Sequence, residues 1–343
     1  MTPTDSTPTL AVIGGGVIGS MCALAAADAG WHVDVYDAGP EIRAAEVAGG
    51  MLGSLGEGHP GEGDLLALSA ESTALWPGWI DRIGDRAIVT ARDSLFVATT
   101  AADGEYLRQL ADFVWAEQIG ADRLTALRPR EVRAQETALS TRVHSGYLAL
   151  GEGALDNGLL LSRLRAALAD AGVHWHRIHI DRVDEVPADQ VLVAAGMGTT
   201  ALLPDVSLIP AKGEILRLAR NRHSIPVPTH VVRARVEGRN LYLVPRAGGV
   251  VVGATQYEPV DADDRRPQAG GVADLLADAV EVMPGLRTYD VAEVAAGIRP
   301  GSTDGMPIVE RIDDRTLVAA GHGRNGIVLA PVTAARIAAL LAG

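Results

Sequence analysis

The stretch LAVIGGGVIGSMCALAAADAGWHVDVYD, residues 10–37, predicts a strand, a glycine turn, a helix and a second strand within 28 residues. Its opening LAVI is a short, fully apolar run of the kind buried in a parallel sheet. Gly14, Gly16 and Gly19 form G-x-G-x-x-G where that run ends and an alanine-rich helix begins; the helix stops at Gly30 and HVDVYD follows as a strand. In such a unit the first glycine permits a tight turn, the second lets the backbone approach a pyrophosphate, and the third packs helix on strand. The helix N-terminus then offers free N–H groups and the positive end of its dipole. Asp37 closes the second strand eighteen residues after Gly19, where a carboxylate can accept hydrogen bonds from ribose hydroxyls. A second glycine pattern, Gly196, Gly198 and Ala201 after VLVAA, meets Pro204 too soon for a crossover helix. One dinucleotide site with an acid at the ribose points to FAD as the only cofactor.

Outward from this unit, the glycine-rich AGGMLGSLGEGHPGEGD (48–64) reads as a loop across a surface or a ligand. Helices are predicted over 65–83, 103–119 and 157–173, with strands at SLFVATT (94–100), HWHRIHI (174–180) and QVLVAAG (190–196). From 207 to 256 the texture changes to EILRL, HVVRARV, NLYLVPR and GVVVGAT, which suit an antiparallel sheet. A helix near 271–283, a strand TLVAAG and a final helix complete the chain. The expected architecture is α/β: a discontinuous Rossmann-like FAD-binding domain (1–82, 145–206 and 288–343) with an inserted α+β substrate-binding domain (83–144 and 207–287) built on an antiparallel sheet.

Composition narrows the partners. A formal charge of −13 over 343 residues argues against nucleic acid or an anionic membrane. The single cysteine, Cys22, excludes an internal disulfide and a Cys-rich metal cluster. His174 and His176 share one face of a strand, but a metal site needs convergent ligands and no cysteine or acid is read as supplying them, so none is expected. DADDRRP (261–267) reads as a solvated charged loop. No signal peptide or membrane span is read from the residues, and the expected location is cytoplasmic.

Two side chains stand out as anchors for a small anion. Arg299 in AGIRPGSTDGMP (296–307) carries a planar fork suited to a carboxylate, and Tyr242 in NLYLVPR offers a phenol. LAVIGGGVIG, AGGMLG, LVAAG, PAKGEILRL, LYLVPR, VVGAT, GIRPGSTDGMP and AAGHGRNGIVLAP occur in this order along the chain. Together they resemble the glycine oxidases of thiamine biosynthesis, within the D-amino-acid oxidase/glycine oxidase group of FAD-dependent amine oxidases. The resemblance runs essentially end to end.

It implies non-covalent FAD whose N5 accepts hydride from the substrate Cα, with O2 giving H2O2. No catalytic protein base is needed. It also implies that Arg299 and Tyr242, with Arg324 nearby, hold the carboxylate of glycine or another small amino acid. Gly14, Gly16, Val17, Ile18, Gly19, Asp37 and Ala38 would lie on the adenosine diphosphate, and Ile180 at the adenine. Where the family often carries hydroxyls this chain has IRAAEV, so Ala44 and Ala45 would act through backbone N–H groups. Gly49, Gly50 and Met51 would flank the flavin, and His322, Gly323, Arg324, Asn325, Gly326, Ile327 and Val328 would wrap its ring. A homo-oligomer, possibly a tetramer, is implied as well. An oxidase or dehydrogenase for a D-amino acid, sarcosine or proline, and a flavin-binding protein without turnover, are the competing expectations.

Overall fold

The computed structural model describes residues 7–39, 43–56, 59–259, 261 and 264–343. The strand Thr9–Ile13 is buried along its apolar run and pairs in parallel with His32–Tyr36 on one side and Gln190–Val193 on the other. Six strands make this sheet, in the order Ile308–Arg311, Thr316–Ala320, Gln190–Val193, Thr9–Ile13, His32–Tyr36, His174–His176. All its pairings are parallel except that of Ile308–Arg311 with Thr316–Ala320. The predicted strand HWHRIHI is shorter than expected: it ends at His176, and Ile180 lies in the segment beyond it.

Helix Val17–Asp28 follows the glycine turn and packs against the helices Asn157–Asp170 and Gly326–Ala342. Asp156 starts the former by accepting a hydrogen bond from the Leu159 N–H at 2.9 Å. The last helix, with the turn before it, spans Gly323–Ala342 and is long and apolar enough to cross a membrane by length and composition, a property the residue runs did not suggest. It carries Arg336, and it spends its apolar surface inside the protein. Ile327, Ala330, Ala334 and Ile337 join the core around Met21, while Val328, Leu329 and Val332 pack on Leu65 and Leu68 of helix Gly63–Ile83. Pro331 lies inside this helix, which continues through it, and Ser72 bonds to the backbone on either side. The Ser72 hydroxyl donates to the Val328 carbonyl at 2.6 Å and accepts from the Val332 N–H at 3.2 Å.

The second sheet has eight strands in the order Asp290–Gly301, Ile209–Ala219, Gly249–Gly253, Arg239–Arg246, Val231–Val236, Ser94–Ala98, Ser145–Ala149, Leu124–Leu127. It is antiparallel apart from the parallel pairing of Val231–Val236 with Ser94–Ala98. Arg299 was expected between a strand and a turn. It sits instead inside the strand Asp290–Gly301, opposite Ala211, with Pro300 opposite Pro210. That strand is the edge of the sheet, where a proline need not donate to a further neighbour. Segments 145–206 and 288–343 each supply strands to both sheets, and an isolated bridge joins Gly301 to His322 between them.

Candidate functional site

Between the two sheets lies a cavity of about 1410 Å3. That exceeds the roughly 300–1,000 Å3 of an ordinary small-molecule site and leaves room for a dinucleotide with a substrate beyond it. Every site residue expected from the sequence lines it except Gly19. Gly19 packs behind the turn, where a Cβ would lie 1.9 Å from the Gly14 carbonyl oxygen. Gly14 itself has φ +113°, and a Cβ there would stand 2.3 Å from the Ala194 oxygen. A side chain is excluded at Gly14 by conformation and by space alike. Gly16 caps the first helix and faces open space, so the helix N-terminus is bare toward the cavity. Gly196, Gly198 and Ala201 line the same cavity, and only the one-turn helix Thr199–Leu202 follows them. The second glycine pattern is therefore another wall of the same site.

Asp37 is buried at this end, and its Oδ2 receives the Arg43 guanidinium at 2.5 Å. Arg43 also donates its N–H to Glu46 at 2.8 Å and starts the short helix Ala44–Val47, whose first residues are Ala44 and Ala45. The residues before it at 40–42, including Ile42 of IRAAEV, lie outside the described structure. Sequence reasoning passed over Arg43 as a cavity residue, although an arginine among apolar neighbours was its only signal.

The loop through Gly49, Gly50 and Met51 is fastened by residues the sequence did not single out. Asn157 donates to the carbonyls of Ala45 and Glu46 at 2.7 and 2.9 Å. Arg246 donates to Gly49 O and Asn157 Oδ1, both at 3.0 Å. Burial pushes the Arg246 guanidinium down to about 10, so its hydrogen bonds, with the nearby Asp156 carboxylate, carry its charge. Glu152, fully buried, accepts from the Ser54 N–H and hydroxyl at 2.8 Å and from the Leu55 N–H at 3.0 Å. Gly50 has φ +72°, and a Cβ there would lie 2.1 Å from the Leu155 oxygen.

At the far end, the Tyr242 side chain lies against Gly49 and Gly253, where added Cβ atoms would meet its ring at 2.9 Å and its hydroxyl at 2.3 Å. The Arg299 guanidinium reaches the Thr255 carbonyl at 3.4 Å, and its fork fills the space beside Gly213. Arg324 Nη2 stands 3.3 Å from Glu62 Oε2. His322 is buried with Nε2 2.9 Å from the Thr333 hydroxyl, and burial pushes it down to about 4, so it is a neutral imidazole at neutral pH. Alternation along Val231–Val236 turns Arg233 and Arg235 toward the same cavity, over the rings of Phe96 and Tyr106. Cys22 is buried in the first helix, away from the cavity lining, and its thiol is pushed up to about 12.

Two further expectations are corrected. The loop 261–267, as far as it is described, is not simply solvated. Asp264 accepts from the fully buried Lys212 ammonium at 2.8 Å, which holds its carboxyl down at about 2 together with the Arg266 N–H, and Arg265 lines the cavity. The absence of an acid near His174 and His176 also fails in three dimensions. Parallel pairing sets Asp34 opposite His174, and Asp34 Oδ1 lies 2.6 Å from His176 Nε2.

A glycine-turned strand–helix–strand, an acid at the strand end and a cavity of dinucleotide size define a flavin-binding architecture. The chain belongs to the DAO family of FAD-dependent oxidoreductases, whose model matches residues 9–340, and FAD is its cofactor. It is similar to the glycine oxidase of Bacillus licheniformis, at 28% identity over 97% of this chain and 92% of that one. The bifunctional protein ThiO/ThiG of Nostoc sp. is 28% identical over 97% of this chain and 52% of its own length. Among solved structures, glycine oxidase from Geobacillus kaustophilus superposes with a TM-score of 0.85 at 27% identity, covering 98% of this chain and 95% of that one.

Proposed function

We propose that this FAD-dependent amine oxidoreductase oxidises glycine to its imine, reduces O2 to H2O2, and supplies dehydroglycine for the thiazole of thiamine. The observation that carries this reading is the placement of Arg299 and Tyr242 on the cavity wall beside Gly49 and Gly213. A guanidinium fork and a phenol together suit a carboxylate, and no other side chain separates the Tyr242 ring from the Gly49 loop. The names of the relatives agree with this choice of substrate.

In this reading Gly14, Gly16, Val17 and Ile18 receive the diphosphate on the bare helix N-terminus. Asp37, oriented by Arg43, takes the ribose with Ala38, and Ile180 borders the adenine. Ala44 and Ala45 contribute backbone N–H groups. Gly49 to Met51 and His322 to Val328 enclose the ring, with Arg324 linked through Glu62 to the start of helix Gly63–Ile83. Bound FAD would supply the redox chemistry, as the acceptor of hydride from the substrate and the donor of electrons to O2. The chain's task is to orient the substrate Cα through its carboxylate and to keep the pocket small. We also propose a soluble cytoplasmic enzyme, supported by the burial of the apolar last helix within the core.

The test is anaerobic bleaching of the flavin by glycine, sarcosine, D-alanine and D-proline, followed by readmission of oxygen and a peroxide assay. Bleaching by glycine with peroxide on reoxidation is expected. A flavin that glycine leaves oxidised while another amine reduces it would replace the substrate. One that reoxidises only with an added dye would replace the acceptor.

A further inference from the structure

We propose that His32, Asp34 and His174 form a surface site for a single Zn2+ ion, apart from the flavin cavity. Successive side chains alternate faces along a strand, so His32 and Asp34 project from the same side of His32–Tyr36. Parallel register places His174 directly opposite Asp34 on the edge strand. One ligand atom from each of the three residues lies within 4.8 Å of the others. Asp34 is the hub: Oδ2 is 3.8 Å from His32 Nε2, and Oδ1 is 3.7 Å from His174 Nδ1. The His32 and His174 rings stand edge to face, 5.2 Å between centroids.

Two imidazoles and one carboxylate are borderline nitrogen and hard oxygen donors, which suit Zn2+, whereas Mg2+ and Ca2+ require more oxygens. Bonds of about 2.0–2.2 Å require the ligand atoms to close by roughly 1 Å, within reach of side-chain rotation at exposed residues. A water would complete a tetrahedron. His176 Nε2 on Asp34 Oδ1 and the stacking of its ring on Tyr36 hold the carboxylate in place. The neighbouring strand ends at Tyr36, directly before Asp37, so the ion would clip a three-residue edge strand to the strand that leads into Asp37. Asp34 is three residues before Asp37, about 10 Å along an extended strand, and none of His32, Asp34 and His174 lines the flavin cavity.

The experiment uses the tag-free, FAD-loaded chain stripped with a chelator and titrated calorimetrically with ZnCl2. Saturable binding of one Zn2+ per chain is expected, with a rise in thermal midpoint on zinc addition. His32→Ala and His174→Ala should each weaken binding at least tenfold and abolish that rise, while His223→Ala, exposed elsewhere, binds as the parent does. Because the ligands are exposed, both variants should keep their flavin, which the visible spectrum reports. Co2+ in place of zinc should give the intense visible bands of a tetrahedral site. Absence of saturable binding, or undiminished affinity in both ligand variants, overturns the proposal.

Discussion

Arg299 shows how much one residue's meaning depends on its surroundings. Read along the chain it is an arginine beside a proline turn; in the fold it is an edge-strand residue whose fork fills the cavity wall by Gly213. A charge-assisted, two-pronged hydrogen bond contributes about 1.5–3 kcal/mol, so Arg299→Ala should raise the KM for glycine by about ten- to a hundredfold. Arg299→Lys keeps the charge and loses the fork, and should fall between the two in steady-state kinetics. A KM unchanged in both would remove Arg299 from the site. Tyr242 and the glycines of the first turn were legible because their types are rare in their roles. Arg246, Asn157 and Glu152 were not, because an arginine or acid that fastens a remote loop looks like any surface charge until the loop is in view.

At the scale of elements, the last helix is the most constrained. Ser72 on helix Gly63–Ile83 bridges the Val328 carbonyl and the Val332 N–H on either side of Pro331. Ser72→Ala leaves both groups buried with one partner fewer and should cost about 1–3 kcal/mol, read as a lower urea midpoint with an unchanged slope. His322, at the helix entrance, gives a pH signature. Its folded value of about 4 lies below the ordinary 6.5, so the unfolded chain binds the proton more readily. Its contribution is complete above pH 6.5 and is lost as pH falls toward 4, a loss on the order of 3 kcal/mol. Unfolding midpoints measured across that window should fall for the parent and fall less for His322→Gln. The helices expected over 65–83, 103–119, 157–173 and near 271–283 were visible in apolar spacing to within a few residues, whereas the strands Leu124–Leu127, Ser145–Ala149 and Ile308–Arg311 and the helix Pro129–Gln135 were not read. HWHRIHI was overextended because a strand's end is set by its neighbour, and only His174 to His176 find partners on His32–Tyr36.

Across the whole molecule, the cavity is walled by pieces far apart in the chain: the first turn, the Gly49 loop, the strand of Arg299 and the entrance to the last helix. A ligand that binds only when all are assembled stabilises the fold by mass action. Stripping FAD should therefore lower the thermal midpoint, on the order of 5 °C, and excess FAD should restore it; an apoprotein melting with the holoenzyme would contradict this. The sequence by itself determined the dinucleotide-binding unit and the identity of the cofactor, because a glycine turn and an apolar strand are local physical requirements written in adjacent positions. Only the tertiary structure decided which remote groups meet. It joined Arg43 to Asp37, Lys212 to Asp264, and Asp34 to the histidines of the edge strand, because strand pairing and burial bring together charges that sequence distance keeps apart.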